Sequence, residues 1–363
     1  MSRDLLGRRL QALAPDRVPG LAVVVVGPEG VRDVGAAGFA DIAAGTEATP
    51  QMVCPWFSMT KIVTATTAVR LAEKGVIDLD APVLDYVPVF GTMRPSSRAE
   101  HVTPRHLLSH SAGMANPIPV RWVHAADRAG PDADAFLEAQ LAKHDKLRFD
   151  PGTRSSYSNL SSLVLGAAIT SVTGKPFVEV VREEILDPLG MHQTGFAYTA
   201  EMDAHAAVGY HQYRSPMRLL LPRWVTGERV GRWVPLSRFL VDGAPYGGLV
   251  GSLDETARFL RMHLRGGELD GVRVIDADSA ARMGEITIEG RGVDLGLGWF
   301  RPADQRRADP PFIEHLGGGA GFFNLIRIYP SREVGVAIMG NATKYDIDAV
   351  ARMAIANEHR SSQ

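Results

Sequence analysis

Ser58-Met59-Thr60-Lys61 sets a hydroxyl and an amine three residues apart at the start of an apolar stretch. On a helix, residues i and i+3 share a face, so the Lys61 amine can reach the Ser58 oxygen. A serine hydroxyl is a weak nucleophile until a neighbouring base takes its proton. A lysine whose ammonium form is disfavoured by burial can be that base. A plainer reading makes Ser58 a helix N-cap and Lys61 a solvated cation of the first turn. The next residues weigh against it. Residues 62–74 are largely apolar or small and stop at Gly75, a suitable residue just past a helix end. A helix apolar around most of its circumference is a buried helix, which puts its first turn inside the protein. Lysine is also scarce, six against 33 arginines, so Lys61 is not the chain's usual surface cation.

Composition narrows the possibilities. The 363 residues are 45% hydrophobic and 22% charged, an ordinary globular composition with length for two or three structural units. A net charge of −2 and the lack of a long basic run point away from nucleic acid and from anionic membrane surfaces. The single cysteine, Cys54, cannot form an intrachain disulfide or a cysteine-rich metal site. It is conceivable as a rival nucleophile, but it reads better as a small buried apolar residue. The first 20 residues are charged and hold no apolar signal core, and no run reaches transmembrane length. With Met1 as the native start, the expected location is cytoplasmic.

Residues 21–26 and 31–38 flank Gly27-Pro28-Glu29-Gly30 and predict a hairpin with a four-residue loop. Helical patterns occur at 62–74, at 105–109 behind Thr103-Pro104, and at 132–144, 159–172, 176–186 and 254–264. Strand patterns return at 297–300, 312–315, 322–328 and 334–339, before a last helix at about 345–358. Residues 210–242 are rich in Arg, Pro and Trp and read as a long irregular loop, a candidate lid. Strands at both ends and helices between them predict an α+β fold. One antiparallel sheet, built from both chain ends and flanked by helices, makes an α/β sandwich with an all-helical lobe inserted. The expected units are 1–90 with 245–363, and 91–244.

Two further constellations carry chemistry. Tyr157-Ser158-Asn159 lies about 100 residues past Ser58, just before a helix. A phenol beside an ammonium loses its proton more easily and can act as a general acid or base. The Asn159 amide can hold Lys61 or a substrate carbonyl, or simply cap the helix. His315-Leu316-Gly317-Gly318-Gly319-Ala320-Gly321 ends one strand and leads into another. A dinucleotide loop requires a helix at that point, so the glycines read instead as a close approach for substrate or as a bulged turn. A backbone N–H there can form half of an oxyanion hole, with the Ser58 N–H as the other half. His106 and His110 have i, i+4 spacing but no intervening Glu in the zinc-protease sense, and no metal site is expected. No Gly-x-Ser-x-Gly elbow is present. Met217, Leu219, Leu220, Leu221, Trp224 and Trp233 read either as an acyl pocket or as the packing face of the long loop. Tyr246 precedes Gly247-Gly248 and is a candidate flank of the site.

In the order Ser-x-x-Lys, Tyr-x-Asn, His-x-Gly, the chain resembles the serine β-lactamase-like, penicillin-binding-protein fold family. That family includes class C β-lactamases, D-alanyl-D-alanine carboxypeptidases, family VIII esterases and related transesterases and amidases. Leu107-Leu108-Ser109-His110-Ser111-Ala112-Gly113 and Gly247-Gly248-Leu249-Val250-Gly251-Ser252 also match, so the resemblance spans roughly residues 20–341. It implies Ser58 as acyl-enzyme nucleophile, Lys61 and Tyr157 as a coupled base system, and the Ser58 and Gly318 N–H groups as oxyanion hole. It also implies substrate-binding roles for Asn159, His315, Gly317 and Tyr246, and no cofactor. β-Lactamases of this family usually carry Lys-Thr-Gly where this chain has His315-Leu316-Gly317. The missing ammonium and hydroxyl argue for neutral esters or amides over β-lactams that bear a carboxylate. The expectation is a serine hydrolase, foremost an esterase on small neutral esters. β-Lactamase, D-amino-acid amidase or peptidase, transesterase and a silent ligand-binding protein are the alternatives. The expected partner is a small-molecule ester or amide, with no nucleic acid and no membrane.

Overall fold

Eight strands form one antiparallel sheet, and they come from the two ends of the chain. In chain order they are β1 (Gly20–Gly27), β2 (Gly30–Asp41), β3 (Thr46–Glu47), β4 (Val293–Leu295), β5 (Phe300–Pro302), β6 (Ile313–Gly319), β7 (Phe322–Tyr329) and β8 (Val334–Gly340). Across the sheet they run β4-β5-β6-β7-β8-β1-β2-β3. The seam that joins the ends is β1 against β8, from Leu21 opposite Gly340 to Val26 opposite Gly335. The computed structural model describes residues 5–13, 17–215 and 220–356.

Every residue of β1 is buried, because helices cover both faces of the sheet. Ala22, Val24 and Val26 enter the larger core, and Leu21, Val23 and Val25 enter a second core on the opposite face, the alternation a strand requires. Five helices matter here: α1 (Leu5–Leu13), α2 (Thr60–Glu73), α3 (Asn159–Thr173), α4 (Leu253–Leu264) and α5 (Ile347–Ile355). α4 packs on β1 and β8 from the larger core, while α1 and α5 cover the other face.

α2 is the buried helix that the sequence implies. Residues 60–69 are all buried, and Gly75 just beyond it takes φ +69°, a value glycine adopts without strain. Threonine and β-branched residues are modest helix formers, so packing holds this helix more than propensity does. Its buried hydroxyls turn back on the backbone: Thr66 and Thr67 each donate to the carbonyl four residues earlier at 2.8 Å.

Several boundaries differ from the sequence expectations. Gly27 and Gly30 pair with each other, so the first hairpin turns on Pro28-Glu29 alone. The 297–300 pattern is not one strand; β4 and β5 flank a turn there. The glycines 317–319 continue β6 in register with β7, and the turn is left to Ala320-Gly321. The 210–242 segment is not an irregular loop. It contains strands Gly209–Gln212, Trp233–Leu236 and Phe239–Val241. Trp233 packs on Tyr210 in the second core with ring centroids 6.5 Å apart, while Leu220 and Trp224 are exposed, so these residues do not form one acyl pocket. Met217, Leu219 and residues 357–358 of the last expected helix lie outside the described residues. Among the described residues no single helix is long and apolar enough to cross a membrane.

Burial of histidine in these cores makes stability depend on acid. His263 of α4 is wedged between Phe259 and Trp299, and burial pushes its pKa down to about 3; His110 is likewise pushed down to about 3. An unfolded histidine titrates near 6.5. Between pH 6.5 and 3 the unfolded chain binds protons that the folded chain refuses, so stability falls as pH falls through that window. Each such histidine contributes a slope of about 1.4 kcal/mol per pH unit there. Urea unfolding of His263→Phe at pH 7, 5.5 and 4.5 should show a slope smaller by about one proton. An unchanged slope would show that His263 is protonated in the fold.

Candidate active site

Ser58 sits on a single 3-10 turn, Phe57–Met59, that feeds directly into α2. Phe57 holds φ +46°, a strained value for a residue with a side chain, and its ring is clamped against Phe239 and Phe322. The turn is tied down on both sides. Trp56 donates its N–H to the Leu249 carbonyl at 2.7 Å, and the Leu249 N–H donates to the Thr60 hydroxyl at 3.2 Å. Asn324 of β7 donates to the Pro55 carbonyl at 2.8 Å. The Gly247–Ser252 stretch is therefore a latch on the nucleophile turn, pairing with Val53–Pro55 as a strand.

The Lys61 ammonium nitrogen lies 3.0 Å from Ser58 Oγ and donates to the Tyr246 carbonyl at 2.7 Å. Its side chain is 3% exposed, and burial holds its pKa well below the usual lysine range. Among the described residues no carboxylate pairs with it; the Tyr246 carbonyl is its second hydrogen-bond partner. Burial pushes the Tyr157 phenol up, against the lowering effect of the neighbouring Ser58 side chain. The rings of Tyr157 and Tyr246 flank the amine at 5.0 and 5.2 Å. This reverses one sequence expectation. Burial disfavours ammonium and phenolate alike, so it shifts each group toward its neutral form.

Tyr246 meets Lys61 with both its backbone carbonyl and its ring, and the ring also packs against Trp122, with centroids 5.5 Å apart. Asn159 does not bond Lys61. Its N–H donates to Asn116 Oδ1 at 3.1 Å, and its own Oδ1 is buried without a partner. Gly317 and Gly319 are small for the protein's own sake. A Cβ on Gly317 would stand 2.1 Å from the Trp56 carbonyl oxygen, and one on Gly319 would stand 2.3 Å from the Phe57 ring. These glycines let β6 lie against the Ser58 turn. β5 pairs with β6 only at Phe300 and Glu314, so the Gly318 end of β6 has no strand partner on that side among the described residues.

His315 is 1% exposed and lies 6.0 Å from the Tyr157 ring, centroid to centroid. Its Nδ1 is 2.8 Å from the Leu316 carbonyl, which can only accept, so Nδ1 carries the proton. Burial, then Lys61, hold its pKa well below the usual histidine range, leaving a neutral ring. Leu316 does not line the site; it packs against the second core on the other face of the sheet. Cys54 is fully buried in its strand and burial raises its thiol pKa, which removes it as a rival thiolate.

The residue types alone did not single out His110. Its ring stacks on Tyr157 at 4.7 Å, its Nδ1 accepts the Ser158 N–H at 3.2 Å, and its carbonyl accepts the Ser156 N–H at 2.9 Å. It does so at φ +49°. The 107–113 stretch was legible as a motif, but its task of templating the Tyr157 loop was not. His106 instead completes a capping box with Thr103 at the start of a short helix.

Arg327 of β7, which pairs opposite Glu314 beside the third motif, is 2% exposed and already paired. It donates to Glu314 at 2.7 Å across the β6–β7 pair and to Asp348 at 2.5 Å. Arg327→Met leaves Glu314 buried and unpaired, an expected cost of about 3–5 kcal/mol. Arg327→Met with Glu314→Leu should recover much of it in urea unfolding; additive losses would show that the pair is not coupled.

Comparison with known proteins agrees with this geometry. A family model described as beta-lactamase matches residues 8–360. Penicillin-binding protein 4 of Amycolatopsis lactamdurans is 26% identical over 347 residues, 92% of this chain and 84% of that protein. Esterase EstB of Burkholderia gladioli is 30% identical over 325 residues, 85% of this chain and 81% of the esterase. The D-amino acid amidase of Ochrobactrum anthropi SV3 superposes with a TM-score of 0.81 at 19% identity, covering 100% of both chains. A class C beta-lactamase does so with a TM-score of 0.74 at 18% identity, over 99% of this chain and 95% of that one. At those identities the two structures establish the fold, that of β-lactamases and transpeptidases. The family match takes in both halves of the sheet and everything between them, and the chain belongs to the beta-lactamase family of serine hydrolases.

Proposed function

We propose that this protein hydrolyses small neutral carboxylic esters through an acyl-enzyme on Ser58. The observation that carries the reading is the buried Lys61 amine at 3.0 Å from Ser58 Oγ. Lys61 takes the Ser58 proton as Oγ attacks the ester carbonyl, and the N–H groups of Ser58 and Gly318 receive the developing oxyanion. As the C–O bond breaks, the Tyr157 phenol gives its proton to the departing alkoxide, and the Lys61 ammonium restores it. Water then repeats the sequence on the acyl-enzyme. Asn159 Oδ1, buried without a partner, is suited to the ammonium that forms on Lys61 or to a donor on the substrate.

The third motif supports an ester over a carboxylate-bearing β-lactam. His315 is neutral, Leu316 is turned away and Arg327 is spent in the core. The likeness to an esterase at 30% identity supports the same choice. A substrate carboxylate that loses one charge-assisted hydrogen bond loses roughly 1.5–3 kcal/mol, about tenfold to a hundredfold in rate. In a parallel screen, p-nitrophenyl butyrate should exceed nitrocefin and a D-amino-acid amide in kcat/KM by at least about that factor. Nitrocefin turning over as fast as the ester would overturn this reading and make the protein a β-lactamase.

A further inference from the structure

The loop that holds Lys61 has a second side. On the catalytic side, the Tyr246 carbonyl accepts from Lys61 at 2.7 Å and the Pro245 carbonyl accepts from the Thr64 hydroxyl at 2.8 Å. On the far side, Asp242, Gly243, Ala244 and Pro245 form one wall of a cavity of about 720 Å³. Its apolar lining includes Phe136, Leu163, Phe177, Phe196 and Leu240. A volume of this size accommodates a small organic molecule. Ser58, Lys61 and Tyr157 do not line it, so it is separate from the site of acyl transfer.

Arg128, Asp132, Asp134, Thr170 and Lys175 also line the cavity, and His124 with Asp242 forms its hydrogen-bonded polar pair. His124 Nδ1 lies 2.6 Å from Asp242 Oδ1, and both side chains are mostly buried. The strand pairing of Val123–Ala125 with Phe239–Val241 brings the two together. Gly130 covers the imidazole closely: a Cβ there would stand 2.7 Å from Cε1. With Nδ1 held by the carboxylate, Nε2 is the ring nitrogen left to hydrogen-bond a ligand. His124, Ala126 and Arg128 also line an adjoining cavity of about 840 Å³, whose other walls include Asp127, Asp203 and Arg238. The imidazole therefore lies where the two cavities adjoin.

We propose that this cavity binds an uncharged apolar molecule ending in a single hydroxyl, an alkylphenol or a medium-chain alcohol. The apolar body fills the chamber between Phe136, Leu163 and Phe196, where its removal from water drives binding. The hydroxyl lies beside the His124–Asp242 pair and hydrogen-bonds His124 Nε2.

Calorimetric titration of 4-butylphenol into the full chain tests this. One saturable site is expected. Ala167→Phe, which projects a ring from α3 into the chamber, should weaken binding at least tenfold. His124→Ala should weaken it about tenfold, and butylbenzene, which lacks the hydroxyl, should bind at least about tenfold more weakly than the phenol. If Ala167→Phe loses its cooperative melting transition, Thr170→Trp, three residues along α3, is the second blocking variant. Unchanged phenol affinity in a folded blocking variant would overturn the proposal, as would equal binding of butylbenzene. Both results are independent of whether Ser58 is the nucleophile, because neither reads turnover.

Discussion

Ser58→Ala is expected to lower kcat/KM on p-nitrophenyl butyrate by roughly 10⁴- to 10⁶-fold, the scale seen when a serine hydrolase loses its nucleophile. The fold should survive. Ser58 lies half-buried on a one-turn 3-10 segment, and α2 takes no side-chain cap from it. The lost hydroxyl costs at most about 1–2 kcal/mol in hydrogen bonds to Lys61 and Tyr157. Trp56, Thr60 and Asn324 still anchor the turn through bonds that do not involve Ser58. Circular dichroism and the melting transition should therefore match wild type. A fluorophosphonate probe should label wild type on the peptide that carries Ser58 and leave the variant unlabelled. An adduct on Cys54 instead would overturn the assignment, against its full burial and raised thiol pKa.

Lys61→Ala and Tyr157→Phe should each reduce kcat by about 10³-fold or more, and the double variant should be scarcely worse than the more damaging single one. The reason is geometric. Both side chains reach the same Ser58 oxygen, and both are needed to carry one proton from serine to leaving group. Losses that multiply would mean independent roles and would sink the proton-relay reading. The acid limb of the rate profile belongs to the pair, because the two groups titrate together. Activity should fall as pH falls through the depressed Lys61 pKa, where the amine becomes an ammonium that cannot accept the Ser58 proton. Stability carries its own dependence on this group. The folded Lys61 pKa lies below its unfolded value, so between the two values folding must expel a proton that the unfolded chain keeps. That penalty grows as pH falls from the unfolded pKa to the folded one. Lys61→Met should therefore be inactive yet melt higher than wild type at pH 7, with the gain shrinking toward pH 10. A lower melting temperature would mean that the Lys61 bonds to Ser58 and the Tyr246 carbonyl outweigh its burial.

Much of this molecule is local in origin, and the sequence alone determined it. Ser58 and Lys61 are three residues apart, so their contact needs only the Phe57–Met59 turn to run on into α2. The apolar circumference of 62–74 implied that the helix is buried, and the stop at Gly75 comes from one residue's tolerance of positive φ. Strand patterns at both ends also sufficed for a sheet that joins them, since an unpaired apolar strand has nowhere else to go. The tertiary structure decided what distance along the chain conceals. It brought both the Tyr246 carbonyl and the face of its ring to Lys61 across 185 residues. It set His110 beneath Tyr157, spent Arg327 on Glu314 and Asp348, and directed Leu316 to the far core. It also made the glycines of β6 a fit for Trp56 and Phe57, where the sequence suggested room for substrate. Protonation obeyed the same division. The residue types name an amine and a phenol, but only burial of both in one cleft disfavours the charged form of each.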